Sequence, residues 1–228
     1  MLEAERLAAD AVDQTKGGIR GSVLLGIMQA AAGHAASVAS LIAGFQTEHP
    51  LVTVTVRHVG GSQSLAENVR EGVLELGILS LPGDYPGLSF TELGREPMLL
   101  ACAATHRLAG RDSVPLLELA DEPFVDGPEG WGIRLASDQL FLRAGITRTL
   151  RYEVNDSLSI VEFVAAGLAV ALIPPSMAEH VRGVQLIPLE GEAPMFRTLL
   201  GAPTMRRAPG AVHAFAEFIR ANAAQHAA

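Results

Sequence analysis

Residues that could bind a small anion follow the strands that the sequence predicts. Most of them come just after an apolar run and just before a predicted helix. Free backbone N–H groups and the positive end of the helix dipole suit a carboxylate or another small anion there. The candidate ligand-binding residues are Gln29, Ala30, Ser62, Gln63, Ser80, Asp126, Gly127, Trp131, Arg134 and Asn155.

Two of these candidates carry groups that suit an organic acid. Trp131 is the only tryptophan of the chain and lies in the glycine-rich loop of residues 127–132. Its ring either contacts a ligand or packs against its own loop. Arg134, one turn into the following helix, either holds a carboxylate through two hydrogen bonds or forms a surface salt bridge. The sequence leaves both alternatives open.

The hydroxyl and carboxylate side chains near helix starts have a simpler alternative role. A side-chain oxygen at a helix N-cap accepts a backbone N–H, and we expect this role for Ser64, Asp156 and Ser157. For Ser62 and Ser80, capping or turn formation and ligand contact weigh equally.

The chain carries none of the standard catalytic or metal-binding motifs. It lacks a G-x-S-x-G, H-E-x-x-H, C-x-x-C, Walker A or G-x-G-x-x-G pattern, and its seven histidines are scattered. Cys102 lies in an apolar run, where a small buried side chain is expected. Asp126 with Arg134 is the one pair that could supply a base, but a salt bridge or a turn aspartate is the stronger expectation. We expect no catalytic residue, no metal site and no cofactor.

Composition excludes several classes of protein. Of the 228 residues, 49% are apolar and 5% are aromatic, which predicts an aliphatic core. The formal net charge of −8 argues against nucleic-acid binding by this chain alone, because phosphate neutralisation needs basic residues. No apolar stretch approaches the ~18 residues of a membrane span. Residues 1–10 lack the apolar segment of a secretory signal, so we expect a cytoplasmic protein.

Alternating strands and helices position the candidate residues. The first half is predicted to hold strands at residues 22–28, 52–56 and 74–79 and helices at residues 1–14, 34–48 and about 64–72. Ser64 and Glu67 have capping-box spacing at the start of the third helix. The second half is predicted to hold strands at residues 124–125, 151–154 and 168–174, with a helix between Asp156 or Ser157 and Gly167. This alternation predicts parallel strands with crossover helices in two α/β units.

Two further apolar runs and a last helix are predicted to join the two units. Residues 98–103 and 196–202 are predicted to be paired crossovers between them. The helix over about residues 210–223 carries Val212, Phe215 and Ile219 on one face and is predicted to pack on the first unit. Two units joined in this way form a cleft at the strand ends, where ligands of open α/β sheets bind.

Several runs of the chain resemble the effector-binding domain of LysR-type transcriptional regulators. Their order and spacing together carry the resemblance, which covers nearly the whole chain. The matching runs are Phe45 to Pro50, Val52 to Val56, Glu71-Gly72-Val73-Leu74-Glu75-Leu76-Gly77-Ile78, Phe124-Val125 with Arg134, Phe141 to Ile146, and Val164-Ala165-Ala166-Gly167-Leu168-Ala169-Val170-Ala171-Leu172-Ile173-Pro174.

The resemblance implies an α/β fold of two Rossmann-like lobes joined by two crossover strands, like type 2 periplasmic binding proteins. It also implies a small-molecule effector in the interlobe cleft and a homodimer that pairs lobe 1 of one subunit with lobe 2 of the other. The helix over residues 36–45 is a candidate for that contact. The winged helix-turn-helix that would contact DNA is not present in this sequence, and residues 1–14 would be the tail of the helix that links to it.

The resemblance also sets the expected boundaries. Residues 1–20 are expected to be the end of the linker helix and its connector. Residues 21–97 would be the first part of lobe 1, residues 98–193 lobe 2, and residues 194–228 the return strand and final helix of lobe 1.

Two departures from the family pattern bear on the effector. Family members often have serine or threonine after the first strand, where this chain reads Gln29-Ala30-Ala31-Ala32, and Trp131 adds bulk to the second-lobe loop. These residues favour an aromatic or partly apolar effector over an inorganic anion.

Two other functions fit a two-lobed fold. A solute-binding protein for transport requires export, and the missing signal sequence argues against it. An enzyme requires a convergent nucleophile or base, which the residues at the strand ends do not supply.

Overall fold

The computed structural model describes residues 18–28, 38–204 and 208–226. The helix predicted over residues 1–14 and the candidates Gln29 and Ala30 lie outside these residues. The strands are β1 Gly21–Ile27, β2 Val52–His58, β3 Leu76–Leu79, β4 Leu88–Pro97, β5 Leu99–Ala103, β6 Pro123–Asp126, β7 Thr149–Glu153, β8 Ala171–Ile173, β9 Val184–Ile187 and β10 Met195–Pro203. The helices are α1 Val38–Glu48, α2 Ser62–Glu71, α3 Gly132–Arg143, α4 Ser157–Ala165 and α5 Gly210–His226.

Lobe 1 is built on a five-stranded sheet in the order β2-β1-β3-β10-β4. The strand β1 pairs parallel with β2 and β3, whereas β10 runs antiparallel to β3 and β4. Alternate residues of β1 point to opposite faces of the sheet. Val23 and Leu25 pack with α1 and α5, and Leu24 packs with α2 on the other face. The alternation of strand and helix therefore gives a parallel core with helices on both faces.

The last helix completes lobe 1, as its apolar face predicts. Val212, Phe215 and Ile219 are buried against the sheet. The Phe215 ring meets the Phe45 ring of α1 edge to face, with 4.8 Å between centroids. Aromatic pairs in this geometry stabilise a core beyond their buried area, so α5 is fixed to both α1 and the sheet.

Lobe 2 holds two small sheets over one apolar core. The strands β8, β5 and β9 form an antiparallel sheet in that order, and β6 pairs parallel with β7. The Val125 N–H donates to the Val170 carbonyl, which joins the two sheets just before β8. Phe124, Phe141 and Ile160 are buried in the core that β6, α3 and α4 share.

The chain passes between the lobes twice, at neighbouring points. Pro97 ends β4 in lobe 1, and β5 in lobe 2 begins at Leu99. On the return, the Met98 N–H donates to the Pro194 carbonyl at 2.8 Å, next to the pairing of Met195 with Pro97. The apolar runs predicted as crossovers lie mainly inside sheets, as β5 and β10, because strand pairing begins at once on either side. Only the residues next to those runs cross between the lobes.

The capping predictions for Ser64, Asp156 and Ser157 have different outcomes, since Ser157 is the first residue of α4 and Asp156 is its N-cap. The capping box of Ser64 and Glu67 is wrong, because α2 already begins at Ser62 with Gly61 as its N-cap and no side-chain cap. Ser64 is therefore inside the first helical turn. The prediction for Asp156 is confirmed, since its Oδ2 accepts the Ser159 N–H at 2.7 Å. A carboxylate at this position satisfies an otherwise unpaired N–H of the first turn.

Candidate functional site

Two helix starts face one another across the cleft between the lobes. The N-cap of α2 is Gly61 in lobe 1, and the N-cap of α3 is Trp131 in lobe 2. Neither helix has a side-chain hydrogen bond at its cap. Together the two starts line a cavity of about 20 Å³, room for about one water molecule. Its lining residues are Met28, Gly60, Gly61, Ser62, Trp131, Gly132, Ile133 and Phe196.

The lobes touch through backbone at this point. The Gln63 N–H donates to the Gly130 carbonyl at 3.0 Å, while the Gln63 side chain is exposed. A Cβ at position 61 would come within 2.6 Å of the same carbonyl oxygen. A Cβ on Gly132 would come within 2.7 Å of the Ser80 carbonyl oxygen. Only glycine permits this close approach of the two lobes.

Ser62 and Ser80 are both buried and bonded to each other. The Ser62 hydroxyl oxygen accepts the Ser80 N–H at 3.1 Å and lies 3.7 Å from the Met28 sulfur. This bond ties the end of β3 to the start of α2. This contact joins residues 18 apart in the chain, so it is neither the helix cap nor the turn that the sequence allowed, and Ser62 also lines the cavity. Contact of either serine with a ligand stays a prediction.

The Trp131 ring lies between a glycine of each lobe. A Cβ at Gly61 would come within 2.8 Å of the ring, and a Cβ at Gly127 within 2.7 Å. The side chain is partly buried against the lobe 2 core, so the ring does pack against its own loop. It also lines the cavity. Packing of the ring against its own loop therefore does not exclude contact with a ligand.

Asp126, at the end of β6, is paired with an arginine that the sequence reasoning missed. Its Oδ2 lies 2.8 Å from Arg148 Nη2, and its Oδ1 accepts the Gly127 N–H at 2.8 Å. Burial raises the pKa of the Asp126 carboxyl above its ordinary value, while Arg148 and the Gly127 N–H oppose the rise. Asp126 is therefore salt-bridged, but the predicted pairing with Arg134 is wrong, because the Asp126 carboxylate pairs with Arg148 and Arg134 pairs with Asp138.

Arg148 is itself buried, with 6% of its side chain exposed. Its guanidinium carbon lies 5.3 Å from the centre of the Phe124 ring and 5.8 Å from that of Phe141. Ring faces attract a cation, which partly offsets the cost of burying this charge. No motif or periodic pattern distinguishes Arg148 from Arg143 or Arg151, so sequence alone gave no signal for it.

Arg134 is also engaged within the protein. Its Nε donates to Asp138 at 2.8 Å, and its Nη1 donates to the Gly127 carbonyl at 3.3 Å. Glu153 lies 3.6 Å from Nη1. Asn155 is exposed in the turn between β7 and α4 and is not among the residues that line the cavity.

Among the described residues, potential metal ligands do not cluster, and the single cysteine of the chain is buried. Among them, no group of three histidine, cysteine or acidic side chains could hold a metal ion. Cys102 is buried as expected, and burial raises the pKa of its thiol. A thiol in this state is a poor nucleophile. Within the same residues, no helix has the length and apolar character needed to cross a bilayer.

The fold and the cleft together define a class of protein. Two α/β lobes, two neighbouring crossings and helix starts at the cleft are the architecture of the type 2 periplasmic-binding-protein-like fold. Residues 16–224 match the LysR substrate binding domain. The chain belongs to this family.

Individual relatives and solved structures agree with this assignment. The HTH-type transcriptional regulator YybE of Bacillus subtilis is 30% identical over 137 residues, which cover 60% of this chain and 47% of YybE. The effector binding domain of QuiR in complex with shikimate superposes with a TM-score of 0.81 at 20% identity, covering 91% of this chain and 99% of that one. The BenM effector binding domain with benzoate gives a TM-score of 0.72 at 20% identity, covering 91% and 94%. These two structures show the same fold.

The chain spans about half the length of the first curated relatives that it matches, between 47% and 50%.

Proposed function

We propose that this chain is the ligand-sensing part of a LysR-type transcriptional regulator and that it binds a small carboxylate in the interlobe cleft. The observation that carries the proposal is the meeting of two helix starts without side-chain caps at one cavity. Their N–H groups and aligned dipoles attract negative charge without a basic side chain. The family assignment supports the regulatory role.

The cavity walls favour a carboxylate with an apolar body. Met28, Trp131, Ile133 and Phe196 supply apolar surface, and the Ser62 hydroxyl lies beside the start of α2. Shikimate and benzoate, bound by the QuiR and BenM domains, are carboxylates with carbon rings. We propose an aromatic or partly apolar acid as effector, with Ser62, Gln63, Ser80, Gly127 and Trp131 around it. Gln29, Ala30 and Asn155 remain candidate contacts, whereas Asp126 and Arg134 support the site from behind.

Binding requires the cleft to open or rearrange. A cavity of about 20 Å³ is far smaller than the ~300 Å³ of an ordinary ligand pocket. The contact of Gly61 with Gly130 and Trp131 would then be the part that yields. An effector that binds one arrangement of the lobes better than another shifts the population toward it. In the whole regulator, this shift would change the placement of the attached DNA-binding heads.

The remaining parts of the proposal concern assembly and setting. We propose that the chain is not an enzyme, acts in the cytoplasm and reaches DNA only through a separate DNA-binding domain. We propose lobe boundaries at residues 21–97 with 194–228 for lobe 1 and 98–193 for lobe 2, preceded by the end of a linker helix over residues 1–20. These parts rest on the family assignment and on the two crossing points near Pro97 and Pro194.

A homodimer would pair lobe 1 of one subunit with lobe 2 of the other, with the outer strands of both lobes and the helix predicted over residues 36–45 as candidate surfaces. The strand β2 ends the lobe 1 sheet and is largely exposed beyond Val52, and β7 is the outer strand of the β6–β7 pair. Unpaired strand edges are ready contact surfaces, and an isologous pair would place β2 of one subunit near β7 of the other. Sedimentation equilibrium checks this: we expect a dimer at micromolar concentration, and a monomer at high concentration contradicts it.

A thermal-shift screen tests the proposed ligand class. The panel contains aromatic acids, aliphatic carboxylates, amino acids and inorganic anions, with the emission of Trp131 followed for each hit. A ligand at about 100 times its Kd stabilises by about 2.7 kcal/mol, which raises Tm by several degrees. We expect saturable hits among the aromatic acids that also change the emission. Tight binding of sulfate or phosphate without any aromatic acid would overturn the proposed class.

A further inference from the structure

A closed ring of hydrogen bonds holds Gly127, the first residue of the loop that carries Trp131. Asp126 Oδ2 contacts Arg148 Nη2 at 2.8 Å, and the same Nη2 contacts Asp138 Oδ1 at 2.6 Å. Asp138 Oδ2 accepts from Arg134 Nε at 2.8 Å. Arg134 Nη1 then reaches the Gly127 carbonyl at 3.3 Å, and the Gly127 N–H returns to Asp126 Oδ1 at 2.8 Å. Two carboxylates and two guanidinium groups thus hold both sides of one backbone residue.

The ring connects three elements of lobe 2. Asp126 ends β6, Asp138 and Arg134 belong to α3, and Arg148 lies just before β7. Its parts differ in exposure: the Asp126 and Arg148 side chains are 4% and 6% exposed, whereas that of Asp138 is 48% exposed. Charge-assisted bonds are stronger than neutral ones, and those in a dry setting are the strongest. The buried pair of Asp126 with Arg148 therefore anchors the hydrogen-bond ring that fixes Gly127.

The Trp131 side chain in turn packs against the backbone of Gly127. The ring lies so close that a Cβ at Gly127 would come within 2.7 Å of it. Beyond Trp131, the Gly130 carbonyl accepts the Gln63 N–H of lobe 1 at 3.0 Å. A shift of Gly127 would move the Trp131 side chain, the cavity wall and the contact between the lobes together.

We infer that Asp126, Arg148, Asp138 and Arg134 are positioning residues for the effector site, which set the placement of Trp131 and of the Gly130 contact with lobe 1. The inference rests on the proposed function for its link to a ligand. The positioning itself does not depend on any ligand and is measured without one. Asp138 is the member to change, because its exposed carboxylate bridges the two arginines and leaves the buried pair of Asp126 with Arg148 intact.

The test compares Asp138→Ala with Arg143→Ala in the ligand-free chain. Arg143 ends the same helix, is exposed and bonds Gln139 of its own helix. Two readouts apply: acrylamide quenching of Trp131, and hydrogen exchange of the Gln63 amide. In D138A we expect stronger quenching and about tenfold faster exchange, a factor that corresponds to about 1.4 kcal/mol. In R143A both values should match the wild type.

Unchanged quenching and exchange in D138A, or equal changes in both variants, would overturn the inference. If D138A does not fold, Asp138→Asn serves instead, since it keeps the size of the side chain and removes its charge. Titration of benzoate and of any hit from the carboxylate panel then links the ring to binding, with weaker affinity expected in D138A. Failure of the wild type to bind any acid would count against the proposed function alone, because the quenching result stands without a ligand.

Discussion

The two walls of the cleft are built in different ways. The lobe 1 wall, residues 60–63, contains two glycines, a serine and a glutamine and has no charged side chain. The lobe 2 wall is the loop from Gly127 to Trp131, which four charged side chains hold from behind. The first wall depends on the absence of side-chain bulk and the second on charged side chains that include the buried pair of Asp126 with Arg148. Each wall should therefore fail in its own way.

Arg148→Met breaks the lobe 2 wall and has the largest expected effect. It leaves the buried Asp126 carboxylate without its cation, and breaking a buried pair on one side costs about 3–5 kcal/mol. Urea denaturation measures this loss, with Arg143→Met as the exposed control. A loss within about 0.5 kcal/mol of that control would be the size expected of a plain surface change and would contradict the account.

Gly61→Ala breaks the lobe 1 wall with a smaller effect. The added Cβ would meet the Gly130 carbonyl and the Trp131 ring, and overpacking of this kind costs about 1–3 kcal/mol. Gly60→Ala is the matched control, because a Cβ there meets nothing within 4 Å. We expect lower stability or faster exchange of the Gln63 amide in G61A only. Equal behaviour of the two variants would mean that the lobes do not close at this point in solution.

Asp156→Ala has the smallest expected effect and provides a comparison with a residue that belongs to neither wall. This residue caps α4, and losing such a cap costs about 1 kcal/mol. Hydrogen bonding from the backbone N–H of Ser159 lowers the pKa of Asp156 below its ordinary 3.8. A lowered folded-state pKa means that the contribution is present above 3.8 and is lost as the pH falls through the folded value.

Denaturation of the wild type and D156A at neutral and acid pH tests this. The difference in unfolding free energy between the wild type and D156A should shrink as the pH falls from 3.8 through the folded-state pKa of Asp156, while affinity for any cleft ligand stays unchanged. A difference that grows at low pH would contradict the assigned direction, and lost affinity would place α4 at the site.

Much of the fold could be predicted because it rests on local patterns. The alternation of Val52, Val54 and Val56 indicates a strand, which β2 confirms although only Val52 of the three is buried, and Asp156 has the chemistry of an N-cap. The apolar face of Val212 and Phe215 required a partner, which the lobe 1 sheet supplies. Such signals lie within a few residues of one another and survive in a single sequence.

The support behind the site could not be predicted, because it depends on distant contacts. Asp126 and Arg148 are brought together only when β6 pairs with β7 and α3 closes over them. The reason for glycine at position 61 lies in lobe 2, at Gly130 and Trp131. The wrong cap at Ser64 has the same origin, since the helix begins earlier against the opposite lobe. The spacing of residues along the chain does not indicate which distant residues become neighbours in the fold.

The most direct test of the central claim is a calorimetric comparison of one acid with its neutral analogue. The best-binding carboxylate of the panel and its primary amide have nearly the same shape and differ by one charge. If the starts of α2 and α3 hold the ligand, the carboxylate should bind at least about tenfold more tightly, a difference of about 1.4 kcal/mol. Equal affinity of the acid and the amide would contradict the claim that these helix starts recognise the ligand.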